Sequence, residues 1–172
     1  MREALTRLES EGFLDRSENG RLRAAALNVE ELEQLYVLRA AIEGLAARLA
    51  TFHLSTAHLE MMEKTIEEME THSQSGDVDL SLEAGAQFHA LIYKSCANNP
   101  LLEAIETVKL RIVRYRAIIA STRLYDVRVS EHKAIHQAFL DRDPIAAEKS
   151  LIAHVESSAR AIIGEFRNIE LE

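Results

Sequence analysis

The chain has 172 residues, 47% apolar and 28% charged, with six Gly and two Pro; that fits one ordinary core with a small appendage and excludes collagen-like, Pro-rich and most all-β designs. The single Cys96 excludes an intrachain disulfide and multi-Cys metal knuckles, and with neither a long apolar span nor an apolar leader, a cytoplasmic protein without membrane contact is expected. The formal charge of −8 falls outside the first 25 residues, where five Arg balance five acids, so any nucleic-acid contact has to come from that short segment rather than from the acidic body.

Residues 2–11 place Leu5 and Leu8 on one helical face, with Gly12 as a natural stop. Two short extended stretches follow, Gly12–Arg16 and Arg21–Arg23, around Ser17-Glu18-Asn19-Gly20. Asn-Gly between such stretches predicts a hairpin because both residues accept positive φ. A helix running into a two-stranded ribbon is the closing half of a winged helix.

Everything after Ala24 predicts helices. Asn28 caps the first, with Glu31 completing a capping box, and Leu32, Leu35, Tyr36, Ile42, Leu45 and Leu49 form its apolar stripe to about Phe52. The second runs from Ser55-Thr56 to about Ser73, and the third from about Leu80 to Cys96, stopping at Asn98-Asn99-Pro100. The fourth spans Pro100 to about Thr122, the fifth about Asp126 to Leu140, and the sixth Pro144 to about Arg167 with Asp143 as cap. The expected fold is all-α, an antiparallel bundle of about six helices preceded by the remnant of a winged helix-turn-helix. The expected division is 1–26 for the remnant and 27–172 for the bundle.

Several chemistries are absent from the sequence: no Gly-rich phosphate loop, no GxSxG and no HExxH. A di-iron bundle needs Glu-x-x-His, yet no His has Glu three residues before it. Three histidines stand on the apolar sides of three different helices. His89 lies with Ile92 and Tyr93, His132 with Ile135, His136 and Phe139, and His154 with Leu151 and Val155. Brought to one internal place, three imidazoles would hold Zn²⁺ or Ni²⁺ with positions left open. The plainer alternative is three separate core histidines, each bonded to a carbonyl or hydroxyl. His53, His58 and His72 read as solvated or capping.

Arg39 interrupts the apolar stripe, with Glu43 four residues on. The pair is either a buried ion pair or an anchor for a ligand carboxylate. Arg111, Arg114 and Arg116 form a cluster able to supply a second anchor. The candidate ligand-binding set is therefore Arg39, Tyr93, Arg111, Arg114 and His136, with Arg2, Arg7, Arg21 and Arg23 as candidate DNA contacts. Met61, Met62 and Met69 read as core, and Cys96 as an inert buried thiol.

The stretch Met1-Arg2-Glu3-Ala4-Leu5-Thr6-Arg7-Leu8-Glu9-Ser10-Glu11-Gly12-Phe13-Leu14 resembles the recognition helix and wing entry of GntR-superfamily regulators. The rest resembles the FCD ligand-sensing domain of the FadR-type subfamily: Leu35-Tyr36-Val37-Leu38-Arg39 with Glu43, Phe88-His89-Ala90-Leu91 to Asn99-Pro100-Leu101-Leu102, Glu131-His132-Lys133-Ala134-Ile135, Asp143-Pro144 with Ala147, and His154. The resemblance implies a homodimeric bacterial transcription regulator that binds operator DNA under control of a small metabolite, often a carboxylate. It also implies a metal held by an Asp and three His, which carry over to His89, His132 and His154. The Asp position is Gly85, and Glu83, six residues before His89, points about 120° away around the helix. Met1 falls where the family's recognition helix is already under way, so most of a winged helix is not represented. Two other readings are a three-His zinc hydrolase, which lacks a placed general base, and an interaction module that pairs with a full-length relative.

Overall fold

The computed structural model describes residues 2–170 except Glu11, Glu18 and 120–128; the side chains of Arg2, Ser10, Arg114, 116–119 and 168–170 are also outside the description. The expected helix boundaries at Thr122 and Asp126, and the side chains of Arg2, Arg114 and Arg116, fall there.

Helix α1 (Arg2–Ser10) leads into a two-stranded antiparallel ribbon, β1 (Leu14–Arg16) and β2 (Leu22–Ala24), in the register Leu14↔Ala24 and Arg16↔Leu22. Gly12 ends the helix as anticipated. Its φ of +79° suits only glycine well, and the Phe13 N–H turns back to the Leu8 carbonyl. Gly20, at φ +76°, gives the ribbon its reversal. Arg16 on β1 donates to the Glu9 carboxylate through Nε and Nη2, tying ribbon to helix, while its Nη1 donates to the Gly20 carbonyl.

Six further helices follow among the described residues: α2 (Val29–Ala50), α3 (Thr56–Ser75), α4 (Val78–Ser95), α5 (Asn99–Ile119), α6 (Val129–Leu140) and α7 (Pro144–Glu170). The all-α bundle read from the sequence is the fold found. Its caps are mostly local. Ser55 and His58 make a reciprocal capping box, and the Asp143 carboxylate accepts from Ile145 N–H and Ala146 N–H. Arg142 adopts positive φ and donates to the Thr51 and Leu54 carbonyls just past the end of α2, satisfying acceptors there.

Three expectations are corrected. The Asn28 box closes only halfway: its side chain caps Glu30 N–H and Glu31 N–H, but Glu31 turns away to Arg111 and Tyr115, and the Asn28 N–H donates to the Tyr115 hydroxyl. A partner some eighty residues away outcompetes the local carboxylate. Leu45 is exposed, and the inner face of α2 runs through Ala40, Gly44, Ala47 and Ala50 instead. The reason is close approach to α7: a Cβ on Gly44 would meet Ile152 Cγ1 at 2.6 Å. Met61 is exposed, while Met62 and Met69 are fully buried.

The interior divides in two. One apolar cluster gathers Ala46, Ala47 and Ala50 of α2, Met62 and Met69 of α3, Phe88 and Ile92 of α4, Ile135 and Phe139 of α6, and Leu151 of α7. The other gathers Leu32, Leu35 and Tyr36 of α2, Ile112 and Tyr115 of α5, and Val155, Ile162 and Phe166 of α7. Each fully buried large side chain contributes about 1.5–3 kcal/mol by leaving water. Along α2 the clusters change over near Glu43, and along α7 near His154. Both residues are buried, and neither is apolar.

Candidate metal and effector site

That changeover layer holds the candidate site. α4 supplies His89, α6 supplies His132 and α7 supplies His154, and one ligand atom from each lies within 4.8 Å of the others. The ring centroids are 4.5 to 5.2 Å apart, and the ring of Phe88 stands edge-on to His89 and His132 at one side. All three imidazoles are buried. His89 Nε2 and His154 Nε2 approach to 3.2 Å.

The donor set fits a divalent metal. Bonds of about 2.0–2.1 Å at tetrahedral angles put two ligating nitrogens about 3.3 Å apart, close to the His89–His154 separation. Gly85 lies one turn before His89 and faces the same place: a Cβ there would sit 3.9 Å from His132 Nε2 and 3.4 Å from Met69 Sδ. The protein thus offers three nitrogens and no carboxylate at that position. His89 is held well below the ordinary histidine range, first by burial and then by His154, His132, Arg39 and Lys109, so its ring stays neutral as a metal ligand requires.

Beside His89 lies a second group of polar side chains. The Tyr93 ring stacks on His89 with centroids 5.9 Å apart, and Lys109 Nζ stands 5.1 Å from the Tyr93 centroid. Arg39 Nε donates to Glu43 Oε1 at 2.6 Å, with Glu43 fully buried and the Arg39 guanidinium 5.4 Å from the Tyr36 ring. Burial works against the Arg39 charge, but Glu43, Tyr93 and Tyr36 outweigh it and push its pKa above the ordinary value. Burial, then Glu43, pushes Tyr93 well above the ordinary tyrosine range, so the hydroxyl keeps its proton. Among the described residues, Glu43 Oε2 and the Tyr93 hydroxyl are buried without a hydrogen-bond partner.

Of the residues singled out in the sequence, His89, His132, His154, Tyr93 and Arg39 come together. Arg39 does so as the ion pair, its Nε committed to Glu43. Two others point elsewhere. The His136 Nε2–H donates to the Leu59 carbonyl at 3.0 Å, pinning α6 to α3, because it follows His132 by four residues and leans to the α3 side. Arg111 pairs with Glu31, about 12 Å before Arg39 along α2. Its Nε lies 3.8 Å from where a Gly12 Cβ would be, at the junction with the ribbon. Arg7, Arg21 and Arg23 are exposed on α1 and the ribbon.

Residue-by-residue reading offered the buried Arg39–Glu43 pair but not the open oxygen on Glu43, and it missed Glu131 and Ser157. Glu131 Oε2 lies 2.8 Å from His154 Nδ1, and its Oε1 accepts from the Ser157 hydroxyl at 2.7 Å. The available signal was Ser157 three residues after His154, and Glu131 directly before His132.

The FCD domain model matches residues 34–157. Among curated relatives, the "Probable D-xylose utilization operon transcriptional repressor" of Paenarthrobacter nicotinovorans is 28% identical over 155 residues, covering 90% of this chain and 68% of the relative. The "Nta operon transcriptional regulator" of Aminobacter aminovorans is 28% identical over 176 residues, covering the whole chain and 80% of the relative. Among solved structures, E. coli McbR/YncC superposes with a TM-score of 0.81 at 20% identity, covering 95% of this chain and 82% of that one. A GntR family member from Pseudomonas syringae gives 0.73 at 21% identity, covering 99% and 71%. These two likenesses show the shared fold. The matched relatives carry the names of transcription regulators, and the chain belongs to the FCD-domain family.

Proposed function

We propose that this chain senses a small carboxylate metabolite at the three-histidine layer and passes its occupancy to a DNA-binding segment. The observation that carries the reading is the convergence of His89, His132 and His154 from three helices in a buried place where Gly85 supplies no ligand. A metal bound there, Zn²⁺ or Ni²⁺, would be held by these three imidazoles and would supply a Lewis-acid centre for a carboxylate oxygen. The chain's own groups do the rest. Tyr93 stacks beside His89, Glu43 Oε2 offers an acceptor, and Lys109 lends positive charge. Arg39 holds Glu43 in place rather than waiting for the ligand.

The route outward is α2, which carries Arg39 and Glu43 at the site and Asn28 and Glu31 at the ribbon end. A ligand that favours one setting of this helix shifts the population by its differential affinity. DNA contact would fall to Arg2, Arg7, Arg21 and Arg23 in the first 26 residues, in a protein carrying a complete winged helix. Pairing with a second copy is supported by Leu38 and Leu45, seven apart on α2, and by Phe52 just past its end, all exposed.

The test is metal content of untagged protein by plasma mass spectrometry, followed by thermal unfolding with a panel of small carboxylates. The expected result is about one Zn or Ni per chain, lost in His132→Ala, with carboxylates raising Tm only for the metal-loaded protein. A chain without metal, whose Tm is unmoved by any carboxylate, would sink the reading.

A further inference from the structure

His154 is held from behind by residues with no place in the reading above. Its Nδ1 faces Glu131 Oε2 at 2.8 Å, and the other oxygen of that carboxylate accepts from Ser157 at 2.7 Å. His154 and Ser157 lie three apart on α7 and share a face, while Glu131 reaches across from α6. A carboxylate only accepts, so the proton of a neutral His154 ring sits on Nδ1 and its Nε2 carries a lone pair. That Nε2 is the atom 3.2 Å from His89 Nε2. Two lone pairs do not face each other at this distance, so His89 carries its proton on Nε2. His89 Nδ1, buried without a hydrogen-bond partner among the described residues, is then the bare nitrogen.

We propose that Glu131 is a positioning residue, which locks His154 in the Nδ1–H tautomer and aims its Nε2 lone pair into the three-histidine layer, with Ser157 fixing the carboxylate in turn. A carboxylate behind a ligating imidazole sets ring orientation and raises ligand basicity. The three imidazoles are thereby unequal. His154 is ready to bind a cation as it stands, whereas His89 must first give up its Nε2 proton and take one on Nδ1. The tautomer assignment stands on the hydrogen bonds alone, and its effect on affinity rests on the metal reading above.

The test uses the full chain, stripped of metal at pH 8 and labelled with ¹⁵N. Long-range proton–nitrogen spectra report which nitrogen of each imidazole is protonated, with His154→Asn identifying its signals. His154 is expected as Nδ1–H in the wild type and in Glu131→Gln, whose amide oxygen still accepts. Glu131→Ala is expected to give a mixture. In a chelator competition, Glu131→Ala should lower Zn²⁺ affinity about 10- to 100-fold, with Glu131→Gln recovering much of the loss and Ser157→Ala losing less than Glu131→Ala. Recovery by Gln separates positioning from a failure to fold. An Nε2–H His154 in the wild type, or Glu131→Ala matching the wild type in tautomer and affinity, would overturn the proposal. If the wild type takes up no zinc, the metal reading fails by itself, and the spectra still decide the role of Glu131.

Discussion

The two apolar clusters and the polar layer between them are built from shared helices, yet they follow opposite rules. In the clusters, residues such as Phe139, Ile105 and Leu151 are fully buried and need only shape and volume to be satisfied. In the layer, Glu43 is just as buried but carries a charge, and Glu43 Oε2, His89 Nδ1 and the Tyr93 hydroxyl lack hydrogen-bond partners among the described residues. Such groups cost stability where they stand. A fold that only needed to hold together would have continued the apolar packing through this level, as α2 and α7 do on either side of it. The flanking clusters supply the stability, and the layer keeps buried polar groups that, on the proposed reading, a ligand would satisfy.

The largest effect should come from the clusters. Phe139→Ala removes a fully buried ring and is expected to cost about 4 kcal/mol in urea unfolding, with the surviving folded fraction still binding metal. In the layer, Glu43→Ala strands the Arg39 charge and should cost about 3 kcal/mol, whereas Arg39→Met with Glu43→Leu should be neutral or stabilising while weakening any effector response. If the double variant lost as much stability as the single one, the pair would be a structural element and the contrast would collapse. Gly44→Ala puts a methyl against Ile152 and should cost about 1–3 kcal/mol, a packing penalty sitting next to the layer.

The smallest effect is in pH. Burial, His154, His132, Arg39 and Lys109 depress His89 in the folded, metal-free chain. The unfolded ring takes up a proton below about pH 6.5 while the folded one stays neutral, so stability falls as pH drops, by at most about 1.4 kcal/mol per unit from this group. His89→Gln should flatten that slope between pH 6.5 and 5.5 in chelator. An unchanged slope would show that another group carries it.

The fold was legible wherever its causes are local. Gly12, the helix start at Ser55, Asp143 and the Asn98-Asn99-Pro100 breaker act within a few residues, and each lies where the sequence put it. The three histidines were legible because each marks a helix face, and faces follow from periodicity. What the sequence hid depends on distant partners. Glu31 looked like half of a capping box but is claimed by Arg111 and Tyr115. Leu45 looked like core but yields to a small-residue face that only the approach of α7 explains. His136 has the right spacing and the wrong neighbour. Glu131 was visible only as a letter beside His132, since its contacts to His154 and Ser157 need the position of α7.

Gly44 has a mechanical consequence. Between the two clusters, at the level of Glu43, the lack of a side chain at Gly44 lets α2 press against Ile152 of α7. That contact can serve as a fulcrum, with the site beside it and the ribbon far down the arm. From Gly44 to Asn28 the helix runs sixteen residues, about 24 Å. A tilt of about 5° at the fulcrum, smaller than the scatter among ordinary helix crossings, would swing the Asn28 end by about 2 Å. On the proposed reading, a ligand bound at the pivot would need little movement there and would produce the greatest travel at the end where the ribbon begins.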